Sequence, residues 1–283
     1  MNKVQFFGKE VSKLIVGDNP FNGHSYIEDK TSGKEMREWY TAARILDTLF
    51  EIEDTGINTM LPLADPFIIR LLDEYERAGG KLQWIFQPYM PTQEQVMTRQ
   101  IMNLKNTIGI YHQGTTTDYL FETNNTGQIA DRIARYKALG IPVGIGTHRP
   151  DVVDTCEKEG WGADFFVTCM YNARRNREGV QSGFITGKSK AHLVFYPEDP
   201  QYMLSCLQKY DKPVIAYKIF AGGQMFLNKT PGQVRAAIKE AYDTVFTALK
   251  PNDIAAFGVF QRGKNELRED VEVYEEWYRE TQK

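Results

Sequence analysis

The chain is short of the features that most quickly betray a function. It has 3 cysteines in 283 residues, Cys156, Cys169 and Cys206, an odd number with no CxxC pair. That excludes a disulfide framework and a cysteine zinc site, and it fits reduced thiols. No excess of basic charge is present: 34 Lys and Arg stand against 37 Asp and Glu, a net charge of −3. A nucleic-acid binder needs a basic stripe, so that class is set aside. No apolar run approaches the roughly 20 residues of a membrane span; stretches such as Ala163–Val167 are short and broken by Asp164. Met1 to Lys13 alternates apolar and charged residues instead of forming a secretory signal. A leader removed before Met1 would leave no trace, and cytoplasm is the default expectation. Linkers rich in Pro, Gly or Ser and internal repeats are also missing, so one domain over residues 1–283 is expected. At 42% hydrophobic and 25% charged, the composition excludes global disorder.

What is present is an alternation of short β-rich runs with segments of helical period, the mark of parallel α/β architecture. Eight strands are predicted, at Leu14–Gly17, Asn58–Pro62, Leu82–Gln87, Ile108–His112, Pro142–Gly146, Asp164–Thr168, Val214–Ile219 and Ile254–Val259. Helices are predicted at Lys34–Thr55, Pro66–Gly79, Thr92–Asn106, Gly127–Gly140, Pro150–Gly160, Asp199–Tyr210, Thr230–Leu249 and Lys264–Arg279. In Gly127–Gly140, for example, Ile129, Ile133, Tyr136 and Leu139 recur at spacings of three and four, which puts them on one face. A closed (β/α)8 TIM barrel is the simplest solution, with a doubly wound sheet as the alternative. No G-x-G-x-x-G follows the first strand, where a dinucleotide-binding half would carry one.

Barrel enzymes take their reactive groups from the C-terminal ends of the strands. The first strand leads into the turn-rich segment Gly17 to Tyr26, which offers Asp18, Asn22 and His24. The fourth ends at His112, and the fifth runs into Thr147-His148-Arg149. Two imidazoles from adjacent strands would share a substrate oxygen or a metal. Lys218 interrupts an otherwise apolar strand, where an ammonium must find an anion or lose its proton. A lysine so placed would form a Schiff base, donate a proton, hold a carboxylate, or simply pair with a carboxylate such as Asp65 or Glu198. The long irregular stretch from Asn172 to about Pro197, with Arg174, Arg175, Arg177, Lys188 and Lys190, is expected to overhang the active face. Its Gly183 to Ser189 is not a P-loop, since the glycines are too close and no strand leads into it. Gly222-Gly223 after the seventh strand, and the helix start beyond Arg262 and Lys264, match the places where barrels often bind phosphate.

Taken in order, several segments resemble the aldo-keto reductases. Val4 to Gly17 is similar to the β-hairpin that caps the barrel floor in that family and enters its first strand. Further likenesses are Thr55-Gly56-Ile57-Asn58, Gly144 to Pro150, Met170-Tyr171-Asn172, Ala216 to Gly223, and Gly258 to Asp270. The resemblance implies an aldo-keto reductase-like barrel with an N-terminal β-hairpin, reduction of a carbonyl, and NADPH gripped near the last strand. For that grip it offers Tyr171, Asn172, Gly222, Gly223, Arg262 and Lys264. The family works through a tetrad of Asp, Tyr, Lys and His, in which the tyrosine supplies the proton. Only His112 matches it; Leu61 and Pro66 stand at or near the aspartate and tyrosine positions, and the third strand has no lysine.

The expected centre is therefore His112, His148 and Lys218 with Asp65 and Asp18 in support, acting on a small carbonyl or sugar-like compound. Three readings stay open: a divergent NADPH oxidoreductase of carbohydrate metabolism, a metal- or lysine-dependent lyase, aldolase or isomerase, and a barrel that binds ligand without catalysis. NADPH and a divalent metal both remain open as cofactors, with no ligand set for the metal fixed by the sequence. The substrate is the only partner expected, with neither nucleic acid nor membrane, and the sequence does not fix an oligomeric state.

Overall fold

The computed structural model describes residues 1–88, 93–172 and 195–282. The chain opens with an antiparallel hairpin, β1 Lys3–Phe6 and β2 Lys9–Ser12, turned by Phe7 and Gly8 at φ 47° and 79°. Positive φ at both central residues suits the right-handed twist of a two-residue hairpin. Eight strands follow: β3 Leu14–Gly17, β4 Thr59–Leu61, β5 Gln83–Phe86, β6 Thr107–His112, β7 Val143–Thr147, β8 Phe165–Cys169, β9 Val214–Tyr217 and β10 Ile254–Gly258. Every neighbouring pair is parallel, and β10 pairs with β3, which closes the (β/α)8 barrel that the alternation predicts. Among the described residues, no helix is long and apolar enough to cross a membrane.

The strands alternate between two cores, as a period of two requires. Ile15, Ile85, Tyr111, Phe165, Ile215 and Ile254 fill the interior, and Val4, Phe6 and Val11 of the hairpin join the same cluster. Leu14, Trp84, Ile110, Phe166, Val214 and Phe257 face the helices. Phe6 meets Phe165 edge-on at 5.1 Å between ring centres, so the hairpin acts as a hydrophobic plug. The plug has room because its barrel neighbour is a glycine: a Cβ on Gly144 would come within 2.4 Å of the Phe165 ring. With one end closed by apolar side chains, the polar groups of the strand ends gather at the other.

The helices are α1 Gly33–Trp39, α2 Ala42–Asp54, α3 Pro66–Arg77, α4 Glu94–Met102, α5 Gly114–Glu122, α6 Thr126–Lys137, α7 Pro150–Glu159, α8 Asp199–Leu207, α9 Pro231–Ala248 and α10 Glu266–Thr281. Three points differ from the sequence-based expectation. The helix predicted over Lys34–Thr55 is two helices, because Thr41 caps α2 by accepting from the Arg44 N–H at 3.4 Å. Helix α5 lies outside every predicted helix, since its Gly-Thr-Thr-Thr start is a poor helix former read in isolation. Finally, β9 stops at Tyr217, and Lys218 is the first residue beyond it, at φ 56°. The lysine is therefore not inside a strand; the left-handed turn lifts it to the rim.

Replacing Phe165 by Ala should remove the ring on which the plug rests. The expected loss is about 3–5 kcal/mol of unfolding free energy, read from urea denaturation of wild type and variant; a loss below about 1 kcal/mol would show that the hairpin is not anchored there.

Candidate active site

At the open end lies a cavity of about 380 Å3, bordered by Asp18, His24, Tyr111, His148 and Lys218, within the size range of small-molecule sites. Each of these follows or ends a strand, as the barrel dictates. The central contact is between Lys218 and His148, whose Nζ and Nε2 are 3.1 Å apart. Tyr217 Oη approaches the same Nε2 at 3.0 Å. The other ring nitrogen, Nδ1, is 2.8 Å from Asp118 Oδ2. A carboxylate can only accept, so Nδ1 carries the proton and Nε2 presents its lone pair to the ammonium and the phenol. Asp118 is completely buried and is itself fixed by the Thr147 hydroxyl at 2.6 Å and the His148 N–H at 3.2 Å. The chain Asp118, His148, Lys218 thus has each donor facing an acceptor.

Lys218 also lies over the Tyr26 ring, 4.4 Å from its centre, a cation–π contact. Burial acts to lower its pKa, but Tyr26, Cys169 and Asp118 outweigh that and hold it above the ordinary lysine value. The Asp118 carboxylate nearby and the face of the Tyr26 ring both favour the ammonium form of Lys218. Its strained backbone continues through Ala221 at φ 51° and Gly222 at φ 60°; a Cβ on Gly222 would come within 2.7 Å of Tyr26. Such local strain is common where structure positions reactive groups.

Asp18, just beyond β3, is 2% exposed, and its two carboxyl oxygens differ. Oδ2 accepts from the Leu63 N–H at 2.7 Å and from Asn22 Nδ2 at 2.8 Å. Oδ1 has no hydrogen-bond partner among the described residues. Burial raises the pKa against those hydrogen bonds, to about 7. His24 is pushed the other way, to about 4, first by burial and then by the cations Lys218 and Arg37, so it stays neutral.

Other expected site residues fall elsewhere. His112 does not join His148 and Lys218: it is fully buried on the helix side of β6, with Nδ1 2.7 Å from Thr117 Oγ1 of α5 and Nε2 3.0 Å from Arg132 of α6. Strand alternation is the reason, since Tyr111, one residue earlier, takes the inward position. Burial, then the Arg132 cation, depresses His112 to about 3, so it remains neutral. Asp65 is the N-cap of α3, accepting from the Phe67 N–H at 2.9 Å, and is not among the residues bordering the cavity. Tyr171 packs on Phe195, ring centres 5.5 Å apart. The Asn172 N–H donates to Asp199 at 3.0 Å, and Asn172 borders a second cavity of about 510 Å3 that meets the first at His148. The basic residues from Arg174 to Lys190 lie outside the described residues.

The anticipated phosphate grip is occupied by the protein's own groups. Gly222 and Gly223 border the cavity, but the Gly223 N–H donates to the Phe220 carbonyl at 2.9 Å. Arg262 pairs with Glu35 at 3.0 Å and Lys264 with Glu269 at 2.7 Å. At the start of α10, the Leu267 and Arg268 N–H groups donate to Gln261 and Asn265 at 3.2 and 2.9 Å. Glu266 and Asp270 add further acid beside them. This donor set does not fit the phosphate of NADPH. Among the described residues, no group of three or more His, Cys, Asp or Glu side chains is placed to hold a metal.

No family model and no curated protein matches the sequence. Solved structures do match in shape. A truncated 3-deoxy-D-arabino-heptulosonate 7-phosphate synthase from Thermotoga maritima is similar with a TM-score of 0.52 and 9% identity, over 99% of this chain and 90% of that one. Dihydropteroate synthase from Yersinia pestis gives 0.51 and 9%, over 99% of both chains. An HPPK-DHPS from Plasmodium falciparum gives 0.53 and 9%, over 98% of this chain and 50% of that one. At this identity the likeness is one of fold. These neighbours are not aldo-keto reductases, so the resemblance drawn from the sequence holds for the barrel, and its oxidoreductase and NADP expectations gain no support.

Because His112 is neutral when folded and charges near pH 6.5 when unfolded, the stability it confers is present above about 6.5 and is lost as pH falls toward 3. Replacing His112 with Gln should therefore flatten the loss of stability between pH 7 and 5, measured by urea unfolding. An unchanged slope would contradict the burial of a neutral imidazole.

Proposed function

We propose that the protein is a lyase or isomerase that moves a proton on the carbon next to a carbonyl, in a small polyhydroxylated compound such as a sugar. The observation that carries this reading is the pairing, in one cavity, of a buried carboxyl with a free oxygen and an ammonium held by a neutral imidazole. Asp18 Oδ1 takes the proton: a general base works best when its pKa lies near the working pH, and burial brings Asp18 there. Lys218, with the Tyr217 hydroxyl beside it, donates to the carbonyl oxygen as negative charge develops there. His148, oriented by Asp118, is the positioning residue that keeps the ammonium and phenol together.

The reading uses Lys218 as a fixed cation and not as a Schiff-base nucleophile, since attack would need the neutral amine. It also draws on lysine in place of metal, because the described side chains offer no three-ligand set. The solved structures to which the chain is similar share its fold, and the site alone supports the assignment.

The direct experiment is solvent exchange. The protein is incubated in deuterium oxide with a panel of aldoses and ketoses, and label at the carbon next to the carbonyl is followed by NMR. Wild type should exchange label into at least one compound, at a rate that rises with pH through a midpoint near 7. Asp18→Asn keeps the Leu63 hydrogen bond and should lower the rate by about 10²–10⁴. Full exchange by the variant would remove Asp18 from the role. Borohydride added during turnover should leave Lys218 unmodified; a reduced adduct there would replace the proposed chemistry with Schiff-base catalysis.

A further inference from the structure

The cavity lining has a second set of polar residues that the proposed proton transfer does not use. It lies at the start of α10, where Glu266 and Asp270, four residues apart, face the same space beside the apolar side chains of Phe226, Val234 and Ile238. We propose that this acidic part of the lining binds a primary ammonium group, so that the compound turned over carries a cationic amine as well as its carbonyl. The identification of the ammonium with part of a substrate rests on the catalytic reading above; the amine site itself does not.

Three observations carry the proposal. The first is the state of Asp270: it is 5% exposed, and its carboxyl receives no hydrogen bond from any described residue. A buried carboxyl without a partner is costly, and a cation seated against it would relieve that cost. The second is the balance of charge. Glu266, Glu269 and Asp270 surround one cation, Lys264, which is already committed to Glu269 at 2.7 Å. Glu266 accepts the Phe260 N–H at 2.8 Å and still borders the cavity. The local field therefore favours a cation and repels phosphate or carboxylate. The third is the closure of the alternative: the first-turn N–H groups that would attract an anion are taken by Gln261 and Asn265. Burial, the main cause, pushes the Asp270 carboxyl well above its ordinary pKa, as expected of a carboxyl short of a counter-charge.

The apolar side chains that line the same cavity bear on the rest of the ligand. Phe226, Val234 and Ile238 offer no hydrogen bonds, so they suit methylene groups, and an aminoalkyl segment matches them better than a second polyol.

The test is calorimetric titration of the whole protein with n-butylamine and, separately, with n-butyl phosphate. Wild type should bind butylammonium and show no heat with butyl phosphate. Asp270→Asn, which preserves shape, should weaken butylammonium by at least about tenfold, and Glu266→Gln should weaken it by a smaller factor. Thermal melts of both variants establish that they remain folded. Asp18→Asn, which leaves Glu266 and Asp270 unchanged, should bind butylammonium as wild type does. Equal amine affinity in wild type and Asp270→Asn, or tighter binding of butyl phosphate than of the amine, overturns the proposal. If amine binding behaves as described but Asp18→Asn retains full solvent exchange, the amine site stands and the catalytic reading falls, so the two failures are distinguishable.

Discussion

An ammonium at the rim of an apolar barrel needs an acceptor, and the disposition of this site follows from how that need is met. Lys218 is received by the lone pair of His148 Nε2, and that lone pair exists because Asp118 holds the proton on Nδ1. Each group comes from a different element: Asp118 from α5, His148 from the end of β7, Lys218 from the left-handed turn after β9. The contact therefore ties together the segments that follow β6, β7 and β9, and it fixes where a substrate oxygen can meet a positive charge. The Phe6 and Phe165 plug at the other end of the barrel has the complementary effect of leaving the polar groups only one face on which to collect.

Much of this was legible in the residues. Eight apolar runs separated by helical periods make a closed barrel the simplest solution; His148 and Asp18 stand out because each follows a strand, and Lys218 because it puts an ammonium in an apolar run. The misplacement of His112 has a simple cause. Tyr111 and His112 are consecutive, only one of them can face inward, and an apolar run does not say which. Asp118 escaped notice because nothing in Gly-Thr-Thr-Thr-Asp marks a helix, and without α5 there is no reason to bring that carboxyl to His148. The Glu266 and Asp270 pair had a visible signal in its spacing of four on a helix, but acidic residues on the last helix of a barrel ordinarily face water. Arg262 and Lys264 misled in the opposite sense, because charge counts do not reveal that Glu35 and Glu269 have already neutralised them.

The likeness to aldo-keto reductases gains a different meaning from the coordinates. The four residue types of that family's tetrad are all at the rim, as Asp118, Tyr217, Lys218 and His148, but they arise from other strands and form another pattern. The same barrel offers many positions from which similar groups can converge, so shared residue types are weak evidence of a shared reaction. Charge distribution separates the two cases: near the last strand, Arg262 and Lys264 are paired with Glu35 and Glu269, and Glu266 and Asp270 add further acid.

The central claim is that His148 presents an unprotonated Nε2 to Lys218 because Asp118 holds Nδ1. Nitrogen-15 chemical shifts of the imidazole at neutral pH report the tautomer directly. The account predicts a protonated Nδ1 and a bare Nε2 in the wild type, and loss of that preference in Asp118→Ala. A proton found on Nε2 in the wild type would mean that the ring donates toward the rim, and the ammonium-centred site described above would be wrong.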